Sequence, residues 1–209
     1  MDKKRDDLLG EVANYYSSKI LEHGETPQGV DWNGEEGQVL RFEQLYKLIT
    51  VDQAVTVNDL GCGYGAFFEF LRAKNDIKSY QGVDISQEMI DSAKARFGSS
   101  AEAEFIMSNT PDRIADYGFA SGIFNVRFER ENREWRAYMD SMMDTLNTTS
   151  RLGFAFNCLT SYSDEEHMRS DLYYSNPTEI FDYCKNRYSR NVSLIHDYEL
   201  YEFTIIVRK

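Results

Sequence analysis

Residues 55–67 read Val-Thr-Val-Asn-Asp-Leu-Gly-Cys-Gly-Tyr-Gly-Ala-Phe. Val55 and Val57 are β-branched and apolar, which suits a strand buried on both faces. Asp59 stands where that strand should end. Gly61, Gly63 and Gly65 follow at a spacing of two, and Ala66 to Leu71 reads as the start of a helix. Strand, glycine turn and helix open a nucleotide-binding βαβ unit. Glycine lets the turn take positive φ and lets the backbone touch a ligand. The helix start presents unpaired N–H groups to that ligand. A dinucleotide site would read Gly-x-Gly-x-x-Gly, and a pyrophosphate needs a helix start free of negative charge. Asp59 beside the turn suits a cationic group instead, such as the amino group of an amino-acid moiety. Spacing and charge therefore both oppose a nicotinamide oxidoreductase.

A second acid, Asp84, ends the next predicted strand in Tyr80-Gln-Gly-Val-Asp-Ile-Ser86. An acid about 20 residues past such a turn accepts hydrogen bonds from ribose hydroxyls. With these two motifs the chain resembles the class I S-adenosylmethionine-dependent methyltransferases. Asp59-Leu-Gly-Cys-Gly-Tyr-Gly65 matches their glycine motif, and Gly82-Val-Asp-Ile-Ser86 matches their ribose acid.

The resemblance implies S-adenosylmethionine (SAM) as cofactor and S-adenosylhomocysteine (SAH) as product. It puts Asp59, Gly61, Cys62, Gly63 and Gly65 around the methionine part, Asp84 on the ribose, and Ile85 and Met89 on the adenine. Met89 reads equally well as core. Where the family often carries an adenine-binding acid, this chain has Ser108 and Asn109, whose neutral groups still hydrogen-bond an adenine edge. Ser121 and Gly122 let the backbone approach the sulfonium, and Asn125 faces the acceptor. Arg41 is either a fork for the cofactor's carboxylate or a surface arginine with a buried stem. Tyr15, Tyr16 and Trp32 line the acceptor pocket or dock a lid. The Asn/Asp-Pro-Pro-aromatic motif of amino-methyltransferases on DNA and some proteins is missing.

Methyl transfer is a displacement at an activated sulfonium, so alignment and exclusion of water dominate. A hydroxyl acceptor also calls for a base. His167, after strand five, and His196, with Asp197 to orient it, are the candidates, each with a structural histidine as the alternative. His23 reads as a partner for a helix C-terminus. No metal site is expected, because Asp164-Glu165-Glu166 reads as a solvated run.

At 209 residues, 42% hydrophobic and 14% aromatic, the chain fits one globular domain. Its 23 basic and 35 acidic residues leave a net charge of −12, which opposes a nucleic-acid acceptor. Three unpaired cysteines give no disulfide framework and suit reducing cytosol. No signal peptide or membrane span is expected, so the expected place is cytoplasmic.

Helical spacing predicts helices at 6–23 and 35–50 ahead of the first strand, the second opened by an Asn33-Gly-Glu-Glu36 capping box. Trp32 sits in the loop between them. Strands are then expected at 54–60, 79–84, 103–107, 117–124, 152–159, 191–196 and 200–208. Helices are expected at 66–74, 87–97 with Ser86 as N-cap, 131–147, and 177–187 with Pro177 at its first position. Alternating strands and helices imply an α/β, Rossmann-like parallel sheet, and the short final link implies an antiparallel last pair. The resemblance implies seven strands, with strand seven antiparallel between five and six, and a helical lid. One domain spans 1–209, with 1–50 as lid and 51–209 as core. The leading function is methyl transfer to O or N of a small molecule. The alternative is a non-catalytic SAM- or SAH-binding module or partner subunit.

Overall fold

The computed structural model describes residues 3–209, so residues 1 and 2 of the expected lid lie outside the described residues. The strands are β1 Val55–Leu60, β2 Ile77–Asp84, β3 Ala103–Met107, β4 Ala115–Ala120, β5 Ser150–Leu159, β6 Asn191–Ile195 and β7 Glu202–Arg208. The helices are α1 Lys3–His23, α2 Glu35–Tyr46, α3 Ala66–Lys74, α4 Gln87–Phe97, α5 Asn132–Thr148 and α6 Pro177–Arg187. All seven strands join one sheet in the order β3-β2-β1-β4-β5-β7-β6. β7 pairs antiparallel with β5 and with β6, and the other neighbours pair parallel. The residues between β6 and β7 are too few for a parallel crossover, which fixes β7 as the reversed strand.

Side chains alternate across the sheet and both faces are covered. Phe154, Phe156, Phe203, Ile205 and Val207 point to the face packed by α1, α5 and α6. Ala155, Ile206, Tyr117 and Phe119 point to the face packed by α2, α3 and α4. The second helix is therefore a layer helix as well as a cavity wall: Leu45 is fully buried in that core while Gln38 and Arg41 face the cavity.

Three local expectations are corrected. The 33–36 capping box does not form, because the N-cap is Gly34 and no side chain caps the helix. The helix expected to reach 50 stops at Tyr46 and continues only as tight turns, with Leu48 and Ile49 N–H bonding back to Leu45 and Tyr46. Strand four ends at Ala120 instead of 124. Gly122 turns left-handed there, with φ +81, and gives its N–H to the Asn157 side chain instead of a neighbouring strand. No helix among the described residues is long and apolar enough to cross a membrane.

Candidate active site

Strand order reverses between β1 and β4, and ligands of open α/β sheets bind beyond the carboxyl ends at such a point. A cavity of about 890 Å³ lies there. Its floor is the turn from Gly61 to Gly65, which ends as the N-cap of α3. Gly61 holds φ +76, and a Cβ on it would sit 2.3 Å from Ile123 Cγ2. The turn therefore both demands glycine conformation and brings bare backbone against the cavity.

The two strand-tip acids flank this turn. Asp59 is 2% exposed and accepts the Tyr80 hydroxyl at 2.5 Å. Burial pushes its carboxyl up to about 7, against the pull of that hydroxyl; nearby Asp84 adds to the rise. Asp84 accepts the N–H of Gly63 at 3.0 Å and of Ser86 at 2.9 Å. Burial raises its carboxyl too, partly offset by those amides. Asp84 thus stitches the glycine turn to the start of α4, where Ser86 caps the helix by accepting Met89 N–H at 3.2 Å.

Residues of α1 and of the loop before α2 line the cavity on the other side. Asp31, left-handed at φ 61, accepts Tyr15 Oη and Lys19 Nζ, each at 2.8 Å. Arg169, across the mouth, lies 3.8 Å from the same carboxylate. Trp32 stacks on the Arg41 guanidinium, 3.7 Å from ring centroid to Cζ. The tryptophan also lies on the backbone of Gly122, where a Cβ would meet Trp32 Cζ2 at 2.5 Å. Arg41 gives Nε and Nη2 to Glu202 Oε1, at 2.9 and 2.8 Å.

A methyltransferase domain model matches residues 57–149, the stretch from β1 through α5. The candidate methyltransferase Rv1506c of Mycobacterium tuberculosis is 52% identical over 163 residues, covering 78% of this chain and 98% of that protein. The chain belongs to the class I S-adenosylmethionine-dependent methyltransferases. The fold agrees with solved methyltransferases at much lower identity. Magnesium protoporphyrin IX methyltransferase from Synechocystis, solved with bound SAH, superposes with a TM-score of 0.70 at 14% identity over 96% of this chain and 99% of that one. N-methyltransferase NodS from Bradyrhizobium japonicum, in complex with SAH, gives 0.67 at 15% identity over 94% and 97%.

In this methyltransferase the residues expected at the site divide into three groups. Asp59, Gly61, Cys62, Gly63, Asp84, Ile85, Met89, Ser108, Asn109, Ser121 and Gly122 all line the cavity, with Arg41, Tyr16, Trp32, Asn125 and His167. Gly65 closes the turn below the lining. Met89 also packs with Ile20 and Tyr64. Ser108 is committed to a local turn with Thr110, which leaves the Asn109 amide as the freer group. Asn125 is pinned by accepting Leu159 N–H at 3.2 Å.

Two residues are not brought in. Tyr15 does not line the cavity and instead ties α1 to Asp31. His196 is exposed, its ring against Tyr162 and Phe203, and lies off the cavity because the turn after β6 carries it outward. A bidentate fork from the Nε side of Arg41 is also ruled out, since Glu202 holds that side; the Nη1 end remains. Sequence reading missed Tyr80, Asn157, Glu202, Arg169, Tyr174 and Tyr198. The last three line the cavity from loops. Glu202 and Asn157 carried a signal, each being a polar residue at 1% exposure or less inside a strand of apolar ones.

Proposed function

We propose that the chain binds SAM in this cavity and transfers its methyl group to an O or N atom of a small-molecule acceptor. The observation that carries the reading is the pair of strand-tip carboxylates, Asp59 buried and Asp84 half-buried, on either side of a left-handed glycine turn at the switch point. The residues present fit the cofactor. The bare turn offers the cradle that a side chain would fill, and the Ser121 hydroxyl is buried at the cavity without a partner. When bound, SAM supplies an electrophilic methyl on a sulfonium and leaves as SAH.

Asp84 takes the ribose hydroxyls with the lone pairs that Gly63 and Ser86 leave open, and Ile85 and Met89 pack on the adenine. Ser108 and Asn109 meet the adenine edge. Asp59 faces the ammonium, Arg41 reaches the carboxylate through Nη1, and the 61–65 backbone with Cys62 lies under the methionine part. Ser121 and Gly122 face the sulfur. The acceptor lies between Trp32, Tyr16 and Asn125 and the loop residues Tyr174, Tyr198 and Arg169. His167, exposed at the mouth, is the histidine placed to take a proton from a hydroxyl acceptor. Residues 1–50 serve as lid to the 51–209 core within one domain.

Support for a small acceptor comes from scale and charge. The cavity volume falls in the range of small-ligand sites. The net charge of −12 disfavours a polyanion, and a cytoplasmic setting suits the three free cysteines. Among the described residues no cluster of three or more metal-ligating side chains occurs. Calorimetric titration of the protein with SAM and SAH tests the cofactor, and absence of binding by folded protein overturns the reading. Mass spectrometry of candidate acceptors incubated with SAM then tests the transfer.

A further inference from the structure

A chain of buried polar groups runs under the tip of β4. Gly122 donates its N–H to Asn157 Oδ1 at 2.9 Å. Asn157 donates Nδ2–H to Glu202 Oε2 at 2.5 Å. Glu202 accepts Arg41 on its other oxygen, Arg41 carries Trp32, and Trp32 rests on Gly122. The ring closes through five residues on α2, the turn after β4, β5, β7 and the loop before α2.

Its direction is set by Glu202, which is 1% exposed and, as a carboxylate, accepts only. Two donors therefore converge on it, and the Asn157 amide has no choice but to turn its oxygen to Gly122. An amide in place of the carboxylate would meet one donor with another. A buried ion pair adds little to stability beyond what an apolar pair would give. Its retention here is explained by what it orients. The Ser121–Gly122 peptide is trans, so fixing its N–H on Asn157 turns the Ser121 carbonyl the opposite way, away from Asn157, and both residues line the cavity.

We propose that Asn157 and Glu202 are positioning residues that hold the Ser121 carbonyl against the sulfonium of the methyl donor and, through Arg41, hold Trp32 over the same place. This rests on the methyltransferase reading of the cavity. The carbonyl dipole stabilises a positive sulfur and has little to offer a neutral one. The relay thus discriminates SAM from SAH.

The test is titration of SAM and of SAH into wild type, Asn157→Ala and Glu202→Gln, with thermal melts of each. Asn157→Ala keeps the Arg41–Glu202 pair and removes only the link to Gly122. The expected result is SAM binding weakened about tenfold, with SAH affinity changed about twofold or less. Equal weakening of both ligands, or unchanged SAM affinity in folded Asn157→Ala, overturns the relay while leaving the methyltransferase reading intact. If wild type binds neither ligand, that reading falls and the relay with it. Should Glu202→Gln fail to fold, Asn157→Ala decides alone.

Discussion

Replacing Asp59 with asparagine should make the free protein more stable at pH 8 and much less changed at pH 5. The side chain is 2% exposed, and burial raises its pKa from 3.8 to about 7. The folded state then holds the proton more tightly than the unfolded chain does. The stabilising contribution is full below pH 3.8 and is lost as pH rises through about 7. The whole gap corresponds to about 4 kcal/mol, of which about 3 kcal/mol is lost between pH 5 and pH 8. Asparagine is nearly isosteric, never ionises, and its oxygen still accepts the Tyr80 hydroxyl now given to Asp59.

The stability advantage of Asp59→Asn over wild type should therefore grow by about 3 kcal/mol between those pH values, or about 5–10 °C in melting temperature. Urea melts of both proteins at the two pH values measure it. Binding of a cation should reverse the balance. In wild type the affinity for SAM should rise with pH up to about 7, roughly tenfold per unit, and then flatten, with protons released on binding. An advantage of the same size at both pH values would refute the claim that Asp59 is held protonated by burial.

Other consequences are more local. Asp84→Ala should weaken SAM binding about 100-fold by calorimetry, through loss of two hydrogen bonds to a half-buried charged acceptor. Gly61→Ala should cost about 1–3 kcal/mol in urea denaturation, because φ is +76 and the new methyl meets Ile123 Cγ2. Adding Ile123→Ala should recover the steric part and not the backbone part. Ser86→Ala should cost about 1 kcal/mol by loss of the α4 cap, and should also loosen α1, since Ser17 bonds Ser86 Oγ at 2.8 Å.

What the sequence disclosed was local. The glycine turn, the strand-tip positions of the two acids, the cap at Ser86, Pro177 at the first position of α6 and the alternation of strands with helices are written in neighbouring residues, and each stands as expected. Partners across the sheet were not legible. Tyr80 reaches Asp59 because β2 pairs with Val57 opposite Tyr80 and Asp59 opposite Gly82, and register is a tertiary quantity. The early end of β4 was hidden for the same reason: Ser121-Gly-Ile-Phe reads as strand until Asn157, a distant residue, takes the Gly122 N–H. Trp32 stood in a loop with no periodicity to place it. His196 and Asp197 looked paired in sequence, yet neither lines the cavity, which takes Tyr198 to Tyr201 from the same turn instead.

The split between legible and hidden parts follows how the cavity is built. The half proposed above for the cofactor rests on the tips of β1, β2 and β4, three neighbouring parallel strands whose spacing leaves no freedom. The half proposed for the acceptor hangs from the segments after β5 and before β7. The first of these is anchored at its roots, where Thr160 bridges Ser175, Val126 bridges Leu172, and Tyr173 N–H bonds Asn125 carbonyl at 2.8 Å. Between those roots Tyr162, His167 and Arg169 are exposed. Loops anchored mainly at their bases accept substitution without disturbing the scaffold. The same sheet can then keep one cofactor site while presenting a different wall to each acceptor. Asp31 joins α1 to the loop, since it binds Tyr15 and Lys19 and faces Arg169. On the function proposed above, acceptor chemistry is accordingly set where the chain is freest, and cofactor chemistry where β-pairing allows it no choice.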